Sequence, residues 1–419
     1  MKVMFYDGWT RGLHCFKPVF DELTRRGHEA VLVHTGSQKE LGVPKEQTLG
    51  GLLCRDVSFY KNQLIHNIFK QEKPDVFLSL NTSFLWDRAN VESARKLGIP
   101  TFFMMHGERL LGDEIEKFLN TQKLSPVTTD KPAQSKLKRY ALQVIPNYLY
   151  SKWASRPNSL LSPSTYKNIW NFARHPQRVR LLPENTHDLI HDYCLVYSKK
   201  YVDYYNRTFG YNADQIHVIG KPEYDDLFAM NGDIPLSLLP GELNEQLDAY
   251  AGYVLYVENG YVESTFKGWD NAYRDNLIAN IAAQLELDNL LLVIKCHPLT
   301  MTENIQVPHN AVIIQGGHNN AIMHHAQYAI GHSSTLNDLA ILMDKPLVIP
   351  QWGASALVPN MYKDFPGMVS YWNDENDQIS LAHNERAREA YKDISFKIYE
   401  DGKTSSDYVV SLMEKAVAQ

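Results

Sequence analysis

The chain has 419 residues and a formal net charge of -6; 44% of its residues are hydrophobic and 21% are charged. This length predicts two domains, and the composition is that of an ordinary globular protein. The acidic balance argues against a general nucleic-acid binder, and no apolar run approaches the ~20 residues that cross a bilayer. The four cysteines lie far apart without a C-x-x-C pair, which predicts reduced thiols and a cytoplasmic location.

The first hundred residues alternate short apolar strands with amphipathic helices. Strands are predicted at residues 2–6, 29–34, 74–80 and 101–105, and helices at 16–26, about 60–71 and 89–97. Such a βαβα alternation is typical of a doubly wound parallel sheet. We therefore expect an α/β, Rossmann-like fold for this part of the chain.

A basic segment interrupts this alternation. Between residues 117 and 180 the chain carries twelve Lys or Arg and a single acid, Asp130, with eight Tyr, Trp and Phe interleaved. One interpretation is a solvated helical insertion, which is what most charge runs are. The other is a basic, aromatic surface for an anionic partner, such as the inner membrane face or a lipid-linked substrate.

Strands and helices return from residue 193 onward. A strand at 193–197, a helix at 199–209 and a strand near 214–219 complete the first half, and residues 231–247 are predicted to be a linker. A second sheet is expected to begin at 253–257, where the strand ends at Glu258-Asn259-Gly260, followed by a helix at 271–285. Helices are also predicted at 384–399 and 405–418.

The stretch from residue 290 to 351 organises the second half, and three strands are predicted within it. The first strand, 290–295, stops at Cys296-His297-Pro298, and the second leads into Gly331-His332-Ser333-Ser334-Thr335 at the start of an apolar-periodic helix. A Ser-Ser-Thr turn that opens a helix offers hydroxyls and backbone N–H groups to an anion. Because ligands of open α/β sheets lie at the carboxyl ends of the strands, this stretch predicts a phosphate or diphosphate site.

These motifs together resemble one broad group of GT-B transferases. The residues that carry the resemblance are the Ile-Gly-Lys-Pro turn that contains Lys221, the His-Pro pair and the Ser-Ser-Thr turn, within about residues 190–350. The group includes CDP-glycerol glycerophosphotransferases, bacterial sialyl- and polysialyltransferases and Kdo-type capsule transferases; UDP-N-acetylglucosamine 2-epimerases are more distantly similar.

The resemblance implies a GT-B architecture of two Rossmann-like domains that face each other across a cleft. Residues 1–230 would form the acceptor domain, with an insertion at about 113–190, and residues 231–400 the nucleotide-donor domain. Residues 401–419 would form a terminal helix that packs back on the first domain. The implied activity is transfer of a sugar from a nucleotide-sugar donor, or of a polyol phosphate from a nucleotide donor, to a glycan or lipid-linked acceptor of a bacterial surface polymer. The transfer would be metal-independent and inverting.

Site residues follow from the same resemblance. His297 would contact the donor phosphate or its leaving oxygen, and Pro298 would fix the loop. The remaining donor-binding residues would be Lys221, Glu258, Asn259, Gly260, Ser333, Ser334 and Thr335. Lys221 and Lys295 are the candidates to neutralise phosphate, and the alternative for Lys295 is that it only ends its strand. Preorganised donors aimed at a departing nucleotide stabilise the developing negative charge without a metal or cofactor.

A general base is expected from the first domain, where it would take the proton of the acceptor hydroxyl. The candidates at predicted strand ends or turns are Asp7, His14, His106 and Glu108, of which Asp7 and Glu108 are preferred. Asp7-Gly8 resembles part of an acidic sialyltransferase motif, although Tyr6 stands where a second acid belongs. The alternative for Asp7 is turn chemistry, since Asp-Gly is a common turn pair.

The sequence lacks the motifs of several other enzyme classes. The histidines at 318, 324, 325 and 332 lack zinc-ligand spacing, and the chain has no G-x-G-x-x-G or Walker A loop. We therefore expect no metal site, no dinucleotide oxidoreductase and no NTPase. Two alternatives stay open at this point: a UDP-N-acetylhexosamine 2-epimerase-like enzyme, and a noncatalytic nucleotide-sugar-binding subunit of a polysaccharide assembly complex.

Overall fold

A computed structural model describes the chain except for residues 9–11, 39–41, 83–84, 107–143, 156, 175–189, 230–233, 333, 382–383, 398 and 400–402. Glu108, Ser333 and much of the basic segment therefore lie outside the described residues. The described residues divide into two units. The first contains Met1–His106, the described part of 129–226 and Ile394–Gln419, and the second contains Leu227–Asp393.

The first unit is built on an eight-stranded sheet. Its strands are β1 Lys2–Asp7, β2 Glu29–His34, β3 Glu46–Leu49, β4 Leu52–Asp56, β5 Val76–Ser79, β6 Thr101–Met104, β7 Tyr193–Val196 and β8 Ile216–Val218. They lie in the order β3-β4-β2-β1-β5-β6-β7-β8, and all neighbouring pairs are parallel except β3 with β4. The predicted doubly wound parallel sheet is confirmed.

The second unit has a six-stranded parallel sheet. Its strands are β9 Tyr253–Val257, β10 Leu291–Cys296, β11 Ala311–Gln315, β12 Ala329–Gly331, β13 Leu347–Pro350 and β14 Ser370–Trp372. The spatial order is β11-β10-β9-β12-β13-β14. This is the 3-2-1-4-5-6 order of a dinucleotide-binding fold, in which the strand order reverses between the first and fourth strands, here β9 and β12.

Helices cover these sheets. In the described residues they are α1 Leu13–Arg25, α2 Ile65–Glu72, α3 Leu85–Lys96, α4 Ile145–Ser155, α5 Pro163–Arg174, α6 Val202–Phe209, α7 Asp225–Ala229, α8 Gly241–Leu247, α9 Asn271–Glu286, α10 Asn319–His325, α11 Thr335–Leu342, α12 Glu385–Ser395 and α13 Ser405–Ala418. Among these described helices, none has both the length and the apolar character to cross a membrane.

Alternating side chains of β1 show why the first sheet is covered on both faces. Phe5 stacks on Phe16 of α1 with ring centroids 4.8 Å apart, whereas Tyr6 stacks on Trp86 of α3 at 5.9 Å. Successive strand residues point to opposite faces, so a strand that is apolar throughout needs helices on both sides. The C-terminal helix α13 also packs on α1, with Val409, Val410 and Met413 of α13 buried in the same core cluster as Phe16.

Three features of the chain were missed from the sequence. The β3–β4 hairpin was not predicted because β3 is short and partly exposed, although Gly50 and Gly51 both have positive φ, as a two-residue hairpin turn requires. The stretch 290–351 holds four strands instead of three, since β11 is a further one. The predicted linker 231–247 is partly helical, because α8 occupies its end.

Candidate functional site

Three of the predicted binding segments follow neighbouring strands of the second sheet. Glu258 follows β9, His297 follows β10, and Ser334 precedes α11 just after β12. Because β10, β9 and β12 are adjacent and parallel, their carboxyl ends share one edge of the sheet. The site therefore lies at the reversal of strand order, where open α/β sheets bind their ligands.

Glu258 is buried and fully engaged. Its side chain is 2% exposed, and both carboxylate oxygens accept the backbone N–H of Gly260 at 3.0 Å. The Thr300 hydroxyl donates to Oε2 of the same carboxylate. Burial raises the pKa of Glu258, while these hydrogen bonds act in the opposite direction. Glu258 thus joins the loop after β9 to the loop after β10, which leaves its carboxylate little access to a ligand.

His297 is exposed at the end of β10, and its ring has a defined tautomer. The backbone N–H of Leu299 donates to Nδ1 at 3.1 Å. A nitrogen that accepts a hydrogen bond carries the lone pair, so in the neutral ring the proton is on Nε2. The His297 carbonyl in turn accepts the N–H of Thr300 at 2.9 Å. His297 consequently presents an N–H donor, which suits an anionic ligand.

Gly260 makes room for this ring. It has φ +66°, in the left-handed region that favours glycine, and a Cβ built on it would lie 3.2 Å from Nδ1 of His297. Nδ2 of its neighbour Asn259 donates to the Tyr261 hydroxyl at 2.9 Å. Gly260 therefore lies beside the histidine ring.

The hydroxyl turn is partly used for helix capping. Ser334 is the N-cap of α11, where its Oγ accepts the N–H of Leu336 at 3.3 Å, and Thr335 is the first helical residue. Asn337 is completely buried, and its side-chain N–H donates to the carbonyl of His332. This hydrogen bond holds the turn from the interior of the unit. The start of this helix points its remaining N–H groups, and the positive end of its dipole, to the edge of the sheet.

His332, next to the turn, is a buried neutral histidine. Burial lowers the pKa of His332 to about 3, and its Nε2 lies 2.7 Å from the Ser355 hydroxyl. Its ring packs edge-on against Trp269, with centroids 5.2 Å apart. His332 is therefore part of the framework that supports the turn, and it stays uncharged at neutral pH.

The two lysines predicted to neutralise phosphate each donate a hydrogen bond within their own part of the fold. Lys221 belongs to the first unit, where its Nζ donates to the Tyr224 hydroxyl at 3.3 Å. Lys295 is 6% exposed and donates to the carbonyl of Gly316 at 2.8 Å, and burial lowers its pKa. Both ammonium groups are thus held by the fold.

In the first unit, His106 follows β6 and has the opposite tautomer to His297. Its Nδ1 lies 2.8 Å from the carbonyl oxygen of Leu80, which follows the neighbouring strand β5. A carbonyl can only accept, so Nδ1 carries the proton and Nε2 carries the lone pair of the neutral ring. This is the arrangement of a general base.

Asp7 and His14 have local partners near the start of α1. One carboxylate oxygen of Asp7 accepts the N–H of Gly8 at 2.7 Å, and the other lies against Gly12, the N-cap of α1. Nε2 of His14 lies 3.3 Å from the Cys15 sulfur. The bond from Asp7 to Gly8 is one that a turn residue makes. The other preferred candidate, Glu108, is outside the described residues.

Two of the four histidines compared with a zinc-ligand spacing, His318 and His325, bond to the backbone. Nδ1 of His318 lies 2.9 Å from the Leu238 carbonyl, and Nε2 of His325 lies 2.8 Å from that of Ile234. Within the described parts of the chain, no group of three or more His, Cys, Asp or Glu is arranged to hold a metal ion.

Asp225 has a structural role that the sequence did not reveal. Its two carboxylate oxygens accept the N–H groups of Ser405 and Ser406 at 2.8 and 2.9 Å, and Thr404 accepts that of Asp407 at 3.0 Å. Three otherwise unpaired N–H groups of the first turn of α13 are thereby satisfied. Asp225, which follows the Gly-Lys-Pro turn, thus anchors the C-terminal helix.

Comparison with known families identifies the chain. A sequence model of the family "CDP-Glycerol:Poly(glycerophosphate) glycerophosphotransferase" matches residues 171–415, more than half of the chain. The chain belongs to this glycerophosphotransferase family. It is accordingly a transferase, which the sequence predicted, and the matched region contains β9, β10, β12 and their loops. Comparison with curated protein sequences finds no match.

Solved structures agree on the fold. A His-to-Asn variant of the wall teichoic acid polymerase TagF matches with a TM-score of 0.57 and 12% identity over 100% of this chain and 89% of that one. UDP-GlcNAc 2-epimerase of Methanocaldococcus jannaschii matches with a TM-score of 0.52 and 12% identity over 99% of this chain and 100% of that one. The spinosyn forosaminyltransferase SpnP matches with a TM-score of 0.52 and 15% identity over 100% of both chains. These likenesses confirm a GT-B-type fold with two parallel-sheet domains.

Proposed function

We propose that this glycerophosphotransferase-family member transfers a polyol phosphate, of the glycerol phosphate class, from a cytidine diphosphate donor to a hydroxyl group of a cell-surface glycan or its lipid-linked precursor. The observation that carries the proposal is the family match over residues 171–415, which includes His297 and the turn at 333–335. In further support, a TagF structure was determined after a soak with CDPG. The sequence left both a sugar and a polyol phosphate open as the transferred group; family membership favours the polyol phosphate.

The proposed reaction occurs at phosphorus. An acceptor hydroxyl oxygen attacks the phosphorus next to the polyol, a new O–P bond forms, and the bond from that phosphorus to the bridging oxygen breaks. The nucleoside monophosphate leaves with the electron pair, and the acceptor proton passes to a base. We assign the base to His106, because its hydrogen bond to Leu80 leaves the lone pair on Nε2.

His297 and the turn at 333–335 are proposed to stabilise the phosphates. The Nε2–H of His297 and the N–H groups at the start of α11 are fixed donors, and charge on the leaving phosphate increases during the reaction. Donors held in place by the fold need no reorganisation at that moment, so we propose that the transfer proceeds without a metal ion.

The described part of the basic segment supports a membrane contact. Trp153 of α4 and Tyr166 and Trp170 of α5 are 56%, 57% and 60% exposed, and Leu161 between these helices is 84% exposed. Tyr and Trp are favoured at membrane interfaces, and nearby Lys and Arg attract anionic headgroups. Lys152 is an exception, because it is buried beside Glu92 at 3.4 Å. We propose that this surface contacts an anionic membrane.

Liposome sedimentation tests the membrane contact. Trp153→Ala combined with Trp170→Ala should weaken binding to anionic vesicles, whereas Leu287→Ala, at a side chain 78% exposed in the second unit, should not. Binding should fall with added salt, and also on charge reversal at Lys136, Lys138 and Arg139, which lie outside the described residues. Equal binding by the double variant and wild type would contradict the membrane contact and favour the interpretation of the basic segment as a solvated insertion.

A thermal-shift screen with CMP, CDP, UDP, GDP and ADP in EDTA tests the donor assignment. A nucleotide that binds only the folded state raises the melting temperature. Cytidine nucleotides should stabilise wild type but stabilise His297→Ala much less. His309→Ala is the matched control, since His309 is an exposed histidine of the same unit paired with Glu286. Stabilisation by none of these nucleotides would refute the proposed donor class.

A further inference from the structure

We propose that Glu258 is a positioning residue that sets the orientation of His297, and that Thr300 transmits its effect. The proposal rests on the proposed function, in which His297 contacts the donor phosphate. It changes the role expected for Glu258 from a ligand of the donor to a link between two loops. The argument starts from the burial of the carboxylate and follows its hydrogen bonds to the histidine.

The first observation is that Glu258 is buried and its carboxylate is already hydrogen-bonded. Its side chain is 2% exposed, and that of Thr300 is 4% exposed. The carboxylate receives three hydrogen bonds, two from the Gly260 N–H and one from the Thr300 hydroxyl. A buried carboxylate is costly unless its oxygens are paired, and here the pairing partners come from two different loops.

The second observation is that both partners of Glu258 contact His297. Gly260 lies beside the ring, and a Cβ added to this glycine would be 3.2 Å from Nδ1 of His297. Thr300 donates its backbone N–H to the His297 carbonyl at 2.9 Å. One carboxylate therefore fixes the surface on which the ring rests and also the turn that carries it. The hydrogen bond from Leu299 to Nδ1 lies within this same turn and selects the tautomer.

The far end of this loop is held independently. Arg274, which is completely buried, donates to Glu263 at 2.9 Å and to the Asn304 carbonyl at 3.0 Å, and Glu263 accepts the N–H of Met301 at 3.2 Å. Loss of the Thr300 hydroxyl should consequently loosen the turn around His297 without releasing the whole loop. This makes Thr300 a suitable position for a test.

The test is a set of CDP affinities measured by calorimetry on the full-length protein. Thr300→Val removes the hydroxyl with little change in shape and should weaken CDP binding roughly tenfold, which corresponds to the loss of one hydrogen bond to a charged group. Thr300→Ser keeps the hydroxyl and should bind within about twofold of wild type. Glu258→Gln should also weaken CDP binding, because the amide replaces one of the two acceptor oxygens with an NH2 group, which cannot accept from the Gly260 N–H or the Thr300 hydroxyl.

A double-mutant cycle with His297→Ala separates positioning from general damage. If Glu258 and Thr300 act through His297, adding Thr300→Val to His297→Ala should not weaken CDP binding further. Additive losses, or an unchanged affinity in Thr300→Val, would overturn the proposal while the donor assignment stands. Failure of wild type to bind CDP at all would instead refute the proposed function, and this inference with it.

Discussion

The ring of His297 lies against Gly260, where a Cβ added to the glycine would be 3.2 Å from Nδ1 of the histidine. Alanine at this position would push the ring away and would also have to adopt φ +66°. We expect Gly260→Ala to weaken CDP binding in calorimetry and to lower the free energy of unfolding by about 1 kcal/mol. Gly27→Ala is the control, because Gly27 has φ +76° with open space around it. Equal nucleotide affinity in both variants would show that the contact is irrelevant to binding.

A second prediction concerns the base. His106→Ala should lower kcat by roughly 10² to 10⁴ with little change in the KM for the donor, because a positioned base acts on proton transfer. Asp7→Asn and His14→Ala should have much smaller effects on kcat, since Asp7 already serves the turn at Gly8. Steady-state kinetics with CDP-glycerol measures all three. A large loss of kcat in Asp7→Asn, with kcat of His106→Ala near that of wild type, would contradict the assignment and indicate Asp7 as the base.

Two adjacent acids give a third prediction. Asp225 is 7% exposed and binds the N–H groups of Ser405 and Ser406, whereas its neighbour Asp226 is exposed. Asp225→Ala should lower the free energy of unfolding by about 1 to 3 kcal/mol and make residues 405–418 sensitive to protease. Asp226→Ala should do neither. Identical urea midpoints and cleavage patterns for the two variants would contradict the anchoring role.

Burial of His332 predicts a pH dependence of stability. Burial lowers the pKa of His332 to about 3, whereas in the unfolded chain it is about 6.5. As the pH falls below about 6.5 the unfolded state binds the proton first, so this histidine makes the folded state less stable at lower pH. Its contribution to the free energy of unfolding should fall by about 2 kcal/mol between about pH 7 and about pH 5.

The variant His332→Gln isolates that contribution from those of other groups. Glutamine keeps a polar atom near the Ser355 hydroxyl but does not titrate. Urea unfolding should show that the stability of wild type falls more steeply than that of His332→Gln over this pH range. Parallel curves would mean that His332 takes up its proton in the folded state.

The strands could be predicted from the sequence because their apolar runs are local signals. The predictions for 29–34 and 253–257 coincide with β2 and β9, and the predicted helix 405–418 coincides with α13. The exposed edge strand β3 has no such run. The same apolar runs placed Glu258 and His297 at strand ends, because a polar residue directly after a buried strand marks the edge of a parallel sheet.

The pairing of side chains across the chain could not be predicted in the same way. Glu258 accepts a hydrogen bond from Thr300 of a separate loop, and Asp225 accepts one from Ser405, 180 residues later. These partners are far apart in sequence, and no local pattern specifies them. The tautomers of His106 and His297 were also inaccessible, since they depend on the placement of single backbone groups.

The most direct test of the account is to identify the nucleotide released during turnover. Purified protein, CDP-glycerol and a polymeric polyol-phosphate acceptor would be incubated with EDTA and followed by phosphorus NMR. Attack at phosphorus predicts CMP in amounts equal to the polyol phosphate transferred, with no metal required. Release of CDP would place the attack on a carbon atom of the transferred group, and a reaction that stops in EDTA would show that a metal is needed; either result would contradict the account.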